Sequence, residues 1–360
     1  MKFHSLPAGA LLLFTAGVAA QPLPRLAATT NDVTVSGISS GGYMAVQFQV
    51  AYSSVVRGAG IVAGGPYYCA EGSVRRALGN CMAPSGKDLP PTPDETLKTV
   101  KKLAEAGRID PLKHLQDDRV WLLAGGNDKT VLPPVMDALD AFYRATLPAE
   151  AINFVKVPDA GHAMLSVADP QANACPTSET PFINRCQDID AAGKLLAHLL
   201  GPLQPAATPP AGEMIVFDQR PFVSGRAIDA SLANEGYAFV PASCRNGGCK
   251  VHVAFHGCLQ NAGEIGRRFV DGAGYNGWAA SNRIVVLYPQ TARRYGLAWG
   301  SFRWLLNPKG CWEWWGYTGE NYHTRDGVQM RAVRAMIETL GMPPQPVQSA
   351  PPPTSGSASY

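Results

Sequence analysis

The run Val33-Thr34-Val35-Ser36-Gly37-Ile38-Ser39-Ser40-Gly41-Gly42-Tyr43-Met44 alternates like a β-strand, breaks at a serine between glycines, and resumes as a helix-compatible stretch to Tyr52. Gly37-Ile38-Ser39-Ser40-Gly41 is a G-x-S-x-G box, a pattern that is weak alone and informative in context. A strand before it and a helix after it form the sharp turn that exposes a serine nucleophile. The competing reading is a glycine-rich helix cap at Ser39.

A serine hydroxyl needs a base to take its proton and an acid to orient that base. In α/β-hydrolases these follow the nucleophile in the order acid, then histidine. Asp128 fits the acid, because it follows a short apolar strand at 119–124 across Gly125-Gly126-Asn127. His162 fits the base, in the loop Pro158-Asp159-Ala160-Gly161-His162 after a strand at 153–157. Asp159 is the rival acid, although it shares the histidine's own loop.

Working outward, the first half alternates strands (33–35, 57–63, 119–124, 153–157) with helical stretches (43–52, 189–200), which predicts a parallel sheet covered on both faces. A Pro/Ala segment at 201–212 reads as a domain linker or a long connection. Beyond it, 214–217, 237–240, 250–255 and 283–288 are strand-like. The stretch 326–340 is an amphipathic helix with Val328, Ala332, Val333, Met336 and Ile337 on one face. His256-Gly257 after the strand at 250–255 has the form of a second oxyanion donor. In such hydrolases that motif precedes the nucleophile, whereas here it follows by more than two hundred residues. Reading the second half first restores the usual strand order, so the arrangement is either coincidence or circular permutation.

Composition limits the function. The 360 residues carry 46% hydrophobic and 16% charged side chains with a net charge of +3, which favours a packed core over disorder and gives no nucleic-acid footprint. The apolar run at 7–20 is too short to span a bilayer. With Lys2 before it and Val18-Ala19-Ala20 at its end, it reads as an export signal over residues 1–20. The expected catalytic unit is 21–342, and the Pro/Ser-rich stretch 343–360 is expected to be a disordered tail.

Eight cysteines agree with an oxidising compartment. Proximity pairs Cys69 with Cys81, Cys175 with Cys186 and Cys244 with Cys249, leaving Cys258 and Cys311. Proximity ranks the 105 possible connectivities without deciding among them. His252, His256 and Cys258 have ligand-like spacing for zinc, but no C-x-x-C occurs, and neither a metal nor an organic cofactor is expected.

Val35–Met44, Gly64-Gly65-Pro66-Tyr67, His256-Gly257-Cys258-Leu259-Gln260 and Gly310-Cys311-Trp312-Glu313-Trp314 together resemble secreted poly(3-hydroxybutyrate) depolymerases of the single-domain, circularly permuted type. The likeness runs over about residues 30–341. It implies a circularly permuted α/β-hydrolase fold, with a mostly parallel central sheet and helices on both faces. It also implies a Ser39/Asp128/His162 triad, an oxyanion hole from the Ser40 and Cys258 amides, and Trp314 on the substrate wall. Trp312 and Tyr67 join Trp314 as expected substrate contacts. The implied protein is a secreted, monomeric serine esterase acting on polyester and its 3-hydroxybutyrate oligomers. Two departures stand out: the tail leads to no polymer-binding module, and the segment between Cys69 and Arg119 is longer than expected. Trp299, Trp304, Trp312, Trp314 and Trp315 crowd one stretch and are expected to build an apolar groove. The rivals are another secreted carboxylesterase, of feruloyl or acetyl-xylan type, and a non-catalytic secreted binding protein.

Overall fold

Val, Ile and Leu dominate the strand-forming runs, and in parallel strands buried on both faces such runs need no polar alternation. The computed structural model describes residues 20–299 and 302–344. The expected export signal, except Ala20, and the tail beyond residue 344 lie outside the described residues. Eight strands form the central sheet: β1 (Thr29–Ile38), β2 (Val56–Val62), β3 (Arg119–Gly125), β4 (Ile152–Val157), β5 (Gly212–Asp218), β6 (Glu235–Pro241), β7 (Lys250–Phe255) and β8 (Ile284–Tyr288). Their spatial order is β4-β3-β2-β1-β7-β8-β6-β5. All neighbours are parallel except those of β6, which runs antiparallel to both β8 and β5.

Successive side chains leave a strand on opposite faces, and two cores result. Val33, Val35, Val120 and Leu122 face one core, whereas Ile38, Val62, Trp121 and Leu123 face the other. Helices α1 (Ser40–Ala51), α2 (Pro133–Arg144) and α5 (Val328–Gly341) cover the first core, and α3 (Ala191–Leu200) and α4 (Tyr275–Asn282) cover the second. Each fully buried aliphatic side chain contributes about 1.5–3 kcal/mol. Every residue of α1 is buried, so this helix is a core element rather than an amphipathic one.

Register decides where the loops meet. At the carboxyl ends, Gly37 of β1 pairs with Phe255 of β7, and Gly125 of β3 pairs with Val157 of β4. The turns after β1 and β7 therefore emerge side by side, as do those after β3 and β4. Loops beyond the carboxyl ends of parallel strands form the usual ligand crevice of such sheets.

The expected strands are found within a few residues of their predicted limits. α1 starts at Ser40, three residues before the predicted start, because the turn enters the helix directly. The Pro/Ala segment is a connection within one sheet, pinned to α4 by the Ala207 N–H donating to Gly277 O at 3.0 Å. Leu26 and Ala28, just before β1, donate backbone hydrogen bonds to Leu340 O near the end of α5, at 3.1 and 3.0 Å. The hairpin of Arg294–Leu297 and Trp304–Asn307 had no sequence forecast.

Candidate active site

The turn after β1 places Ser39 at φ 57° and ψ −122°, a conformation that costs a non-glycine residue about 1–3 kcal/mol. The flanking glycines are required by contact. A Cβ on Gly37 would stand 2.2 Å from Gly41 O, and one on Gly41 would stand 2.3 Å from Phe255 O. The Ser39 N–H donates to Val62 O at 2.9 Å, and Tyr43 N–H donates to Ser39 O at 3.0 Å, so both ends of the turn are tied.

Asp128 and His162 meet on the adjoining loops. The Gly126 N–H donates to Val157 O at 2.8 Å and the Asn127 N–H to Ala160 O at 3.0 Å, lacing the two loops together. Asp128 Oδ2 lies 2.7 Å from His162 Nδ1, with the two residues only 2% and 4% exposed. The other carboxylate oxygen, Oδ1, accepts from the Thr130 and Val131 amides at 2.8 and 2.9 Å. An ionised Asp128 accepts the Nδ1 proton, which leaves the His162 Nε2 lone pair for another partner. Ser178 Oγ accepts the His162 backbone N–H at 2.8 Å. Ser39 and His162 line the same cavity, and no hydrogen bond joins their side chains. Such contacts often tighten only when substrate binds. Asp159, the rival acid, is exposed to solvent.

Two backbone donors belong to residues that line this cavity. The Ser40 N–H, in the first turn of α1, and the Cys258 N–H have no protein acceptor among the described residues, and both residues line the cavity. Gln260 fixes the second loop: its Oε1 accepts from Gly257 N–H at 2.7 Å, while its Nε2 donates to Pro181 O and Phe182 O at 2.8 and 3.0 Å. The buried His256 accepts from Thr291 N–H through Nε2 at 3.2 Å, so its Nδ1–H donates to Gly257 O at 2.7 Å. Burial holds its pKa down at about 4. Ser40 Oγ accepts from the Trp312 amide at 3.2 Å, joining α1 to the Cys311 segment.

Disulfides link Cys69–Cys81, Cys175–Cys186, Cys244–Cys249 and Cys258–Cys311. The zinc-like spacing of His252, His256 and Cys258 has another use. His252 Nδ1 and Nε2 contact Thr34 Oγ1 and Ser36 Oγ, each at 2.8 Å, and burial holds its pKa at about 3. Cys258 is in a bridge. Among the described residues no group of three His, Cys, Asp or Glu stands at metal-binding spacing.

The cavity measures about 430 Å³. Trp314 forms part of its wall and stacks on Tyr43, with ring centroids 4.2 Å apart and planes at 10°. Trp315 stands edge-on to Trp314 at 5.6 Å. Glu313 holds this aromatic loop: its buried carboxylate accepts from the amides of Trp315, Gly316 and Tyr317 at 3.1, 2.8 and 3.2 Å, and from that of Thr318. Burial pushes its pKa up to about 7, against the opposing pull of those N–H groups.

Two of the expected substrate contacts lie away from this cavity. Trp312 is fully buried, edge-on to Phe255 at 5.0 Å, and Tyr67 is buried with its hydroxyl donating to His323 O at 2.7 Å. Neither lines the cavity. The five-tryptophan cluster splits: Trp312 enters the core, Trp314 and Trp315 line the cavity, and Trp299 and Trp304 are exposed at the hairpin. Missed wall residues include Val74 and Leu78, 44% and 58% exposed on the short helix Val74–Leu78 behind the Cys69–Cys81 bridge, together with Phe182 and Leu306. Exposed large apolar residues at a cavity rim are a recognition signal, but sequence cannot show that they are exposed.

A strand–serine–helix turn, a buried Asp–His pair and two free amides around one apolar cavity define a carboxylic ester hydrolase of the α/β-hydrolase type. No family model matches the chain. It is 42% identical over 355 residues to the poly(3-hydroxybutyrate) depolymerase of Delftia acidovorans, across 95% of this chain and 67% of that one. It is 35% identical over 335 residues to the polyhydroxybutyrate depolymerase of Talaromyces funiculosus, across 91% of this chain and 95% of that one. The crystal structure of the PHB depolymerase from Penicillium funiculosum superposes with a TM-score of 0.79 at 33% identity, covering 90% of this chain and all of that one. A solved PHB depolymerase complexed with an R3HB trimer superposes with a TM-score of 0.78 at 33% identity. The chain belongs to the poly(3-hydroxybutyrate) depolymerase family.

Proposed function

We propose that this enzyme cleaves poly(3-hydroxybutyrate) and related short-chain polyesters through an acyl-enzyme on Ser39. The observation that carries the reading is the Asp128–His162 contact of 2.7 Å at the cavity that also holds Ser39 and the unpaired Ser40 and Cys258 amides. Ser39 Oγ attacks the ester carbonyl while His162 Nε2 takes its proton, and Asp128 steadies the imidazolium. The oxyanion receives hydrogen bonds from the Ser40 and Cys258 amides, each lowering the barrier by about 3 kcal/mol. His162 then protonates the departing alkoxide, and a water activated by the same ring releases the 3-hydroxybutyryl unit or oligomer and restores Ser39.

An apolar wall of Trp314, Leu306 and Phe182 suits a methyl-branched, uncharged chain, and a relative was solved with an R3HB trimer. The four disulfides and the short apolar run at 7–20 support export, with the enzyme working outside the cytoplasm. Every proposed site residue lies within the unit 21–342, the proposed catalytic unit. The sheet order and the backbone bonds of Leu26 and Ala28 to Leu340 support circular permutation, with α5 leading into β1 where an unpermuted chain would be continuous.

Clearing of a turbid poly(3-hydroxybutyrate) suspension tests the reading. Wild type clears it and Ser39→Ala does not. Hydrolysis of aryl or acetyl esters without clearing would leave another esterase, and failure of a fluorophosphonate to label Ser39 would leave a binding protein.

A further inference from the structure

Among the described residues lining the cavity, Lys309 is the only lysine, arginine, aspartate or glutamate. It is exposed and has no ion-pair partner among the described residues. Its backbone is fixed on both sides. Lys309 O accepts the Leu259 N–H at 2.8 Å, one residue beyond the Cys258 amide, and Cys311 two residues on is bridged to Cys258. The lysine's backbone is thus fixed at the wall that carries the Cys258 amide, with its side chain exposed to solvent at the cavity. A neutral polyester interior offers no anion for it to meet.

We propose that Lys309 holds the terminal carboxylate of short 3-hydroxyalkanoate chains, making the cavity selective for acid-ended oligomers. The proposal rests on the polyester reading above. Every cleavage of the polymer leaves a new carboxylate end, ionised at neutral pH. A long chain presents one such end among many ester bonds, whereas a trimer presents one for only two ester bonds. The contact is solvent-exposed, so it is worth about a two- to fivefold gain in affinity and weakens with salt.

The test compares the 3-hydroxybutyrate trimer as free acid and as methyl ester. Dissociation constants are measured by calorimetry on Ser39→Ala, and kcat/KM on the enzyme with Ser39 intact. The acid should bind about two to five times tighter than the ester at low salt. That ratio should fall to one in Lys309→Met, in binding and in kcat/KM alike, and persist in Lys309→Arg. Equal affinities for acid and ester, with both trimers still cleaved, would overturn this proposal alone. Failure of wild type to cleave either trimer would overturn the polyester reading and this proposal with it.

Discussion

Gly37 of β1 lies level with Phe255 of β7 in the parallel register. That one pairing sets the serine turn beside the His256-Gly257-Cys258 loop, although the two segments lie more than two hundred residues apart. The same logic holds on the far side of β2, where Gly125 opposite Val157 brings the Asp128 and His162 loops together.

Asp128→Asn should leave the fold intact, because an amide oxygen can still accept from the Thr130 and Val131 amides. The amide no longer selects the Nδ1–H tautomer of His162. We expect kcat to fall by about 10⁴ with little change in KM. A loss under tenfold would point to a different acid.

The four bridges should differ in their effects. Cys258–Cys311 spans 53 residues and Cys244–Cys249 only 5. Loop entropy assigns about 4 kcal/mol to the first and about 2 kcal/mol to the second. Cys258→Ala with Cys311→Ala should also lower kcat, since that bridge steadies the Cys258 amide. Cys244→Ala with Cys249→Ala should leave kcat alone. Equal kinetic losses from the two pairs would contradict the assignment.

Glu313→Ala should strand the amides of Trp315, Gly316, Tyr317 and Thr318 and loosen the loop bearing Trp314. We expect KM for a trimeric ester to rise more than kcat falls. Glu313→Gln, which retains an accepting oxygen, should lie between the two. Oligomer kinetics on the three proteins would show the order, and an unchanged KM in Glu313→Ala would refute the loop-holding role.

Stability should peak between acid and alkaline limits. Burial keeps His252, His256 and His323 neutral, with pKa values held at about 3, about 4 and about 3. Unfolded, these rings take protons below about pH 6.5, so stability falls as pH drops from there, by about 1.4 kcal/mol per ring per pH unit. Asp118, buried beside Gln49, works in the opposite sense. Burial raises its pKa to about 8, so the folded protein keeps a proton that the unfolded chain releases above about pH 4. Its contribution declines as pH rises from about 4 to 8. Glu313, with its pKa raised by burial to about 7, acts in the same sense as Asp118, and three rings still outweigh these two carboxyls below pH 6.5. The melting temperature should therefore fall from pH 6.5 toward 4.5, and Asp118→Asn should flatten the decline between pH 6.5 and 8. A melting temperature that rises on acidification would contradict this balance.

Much of the architecture was legible in the sequence. Strand-length apolar runs such as 250–255 gave the sheet, and the G-x-S-x-G box gave the turn, because a serine so strained requires glycines on either side. The loops at Asp128 and His162 were legible from their places after strands. Burial of individual aromatics was not. Trp312 and Trp314 are two residues apart, yet one enters the core against Phe255 and the other stacks on Tyr43 at the cavity. Their opposite fates depend on α1 and the Cys258 loop, which are distant in the chain. Val74, Leu78 and Leu306 reach the cavity through a bridged loop and a hairpin that carry no motif.

Quenching turnover of the 3-hydroxybutyrate trimer and mapping the protein by mass spectrometry tests the central claim most directly. A 3-hydroxybutyryl adduct on the peptide containing Ser39, absent in Ser39→Ala, is the predicted result. Continued turnover with no adduct at Ser39, or with the adduct on another residue, would contradict the account.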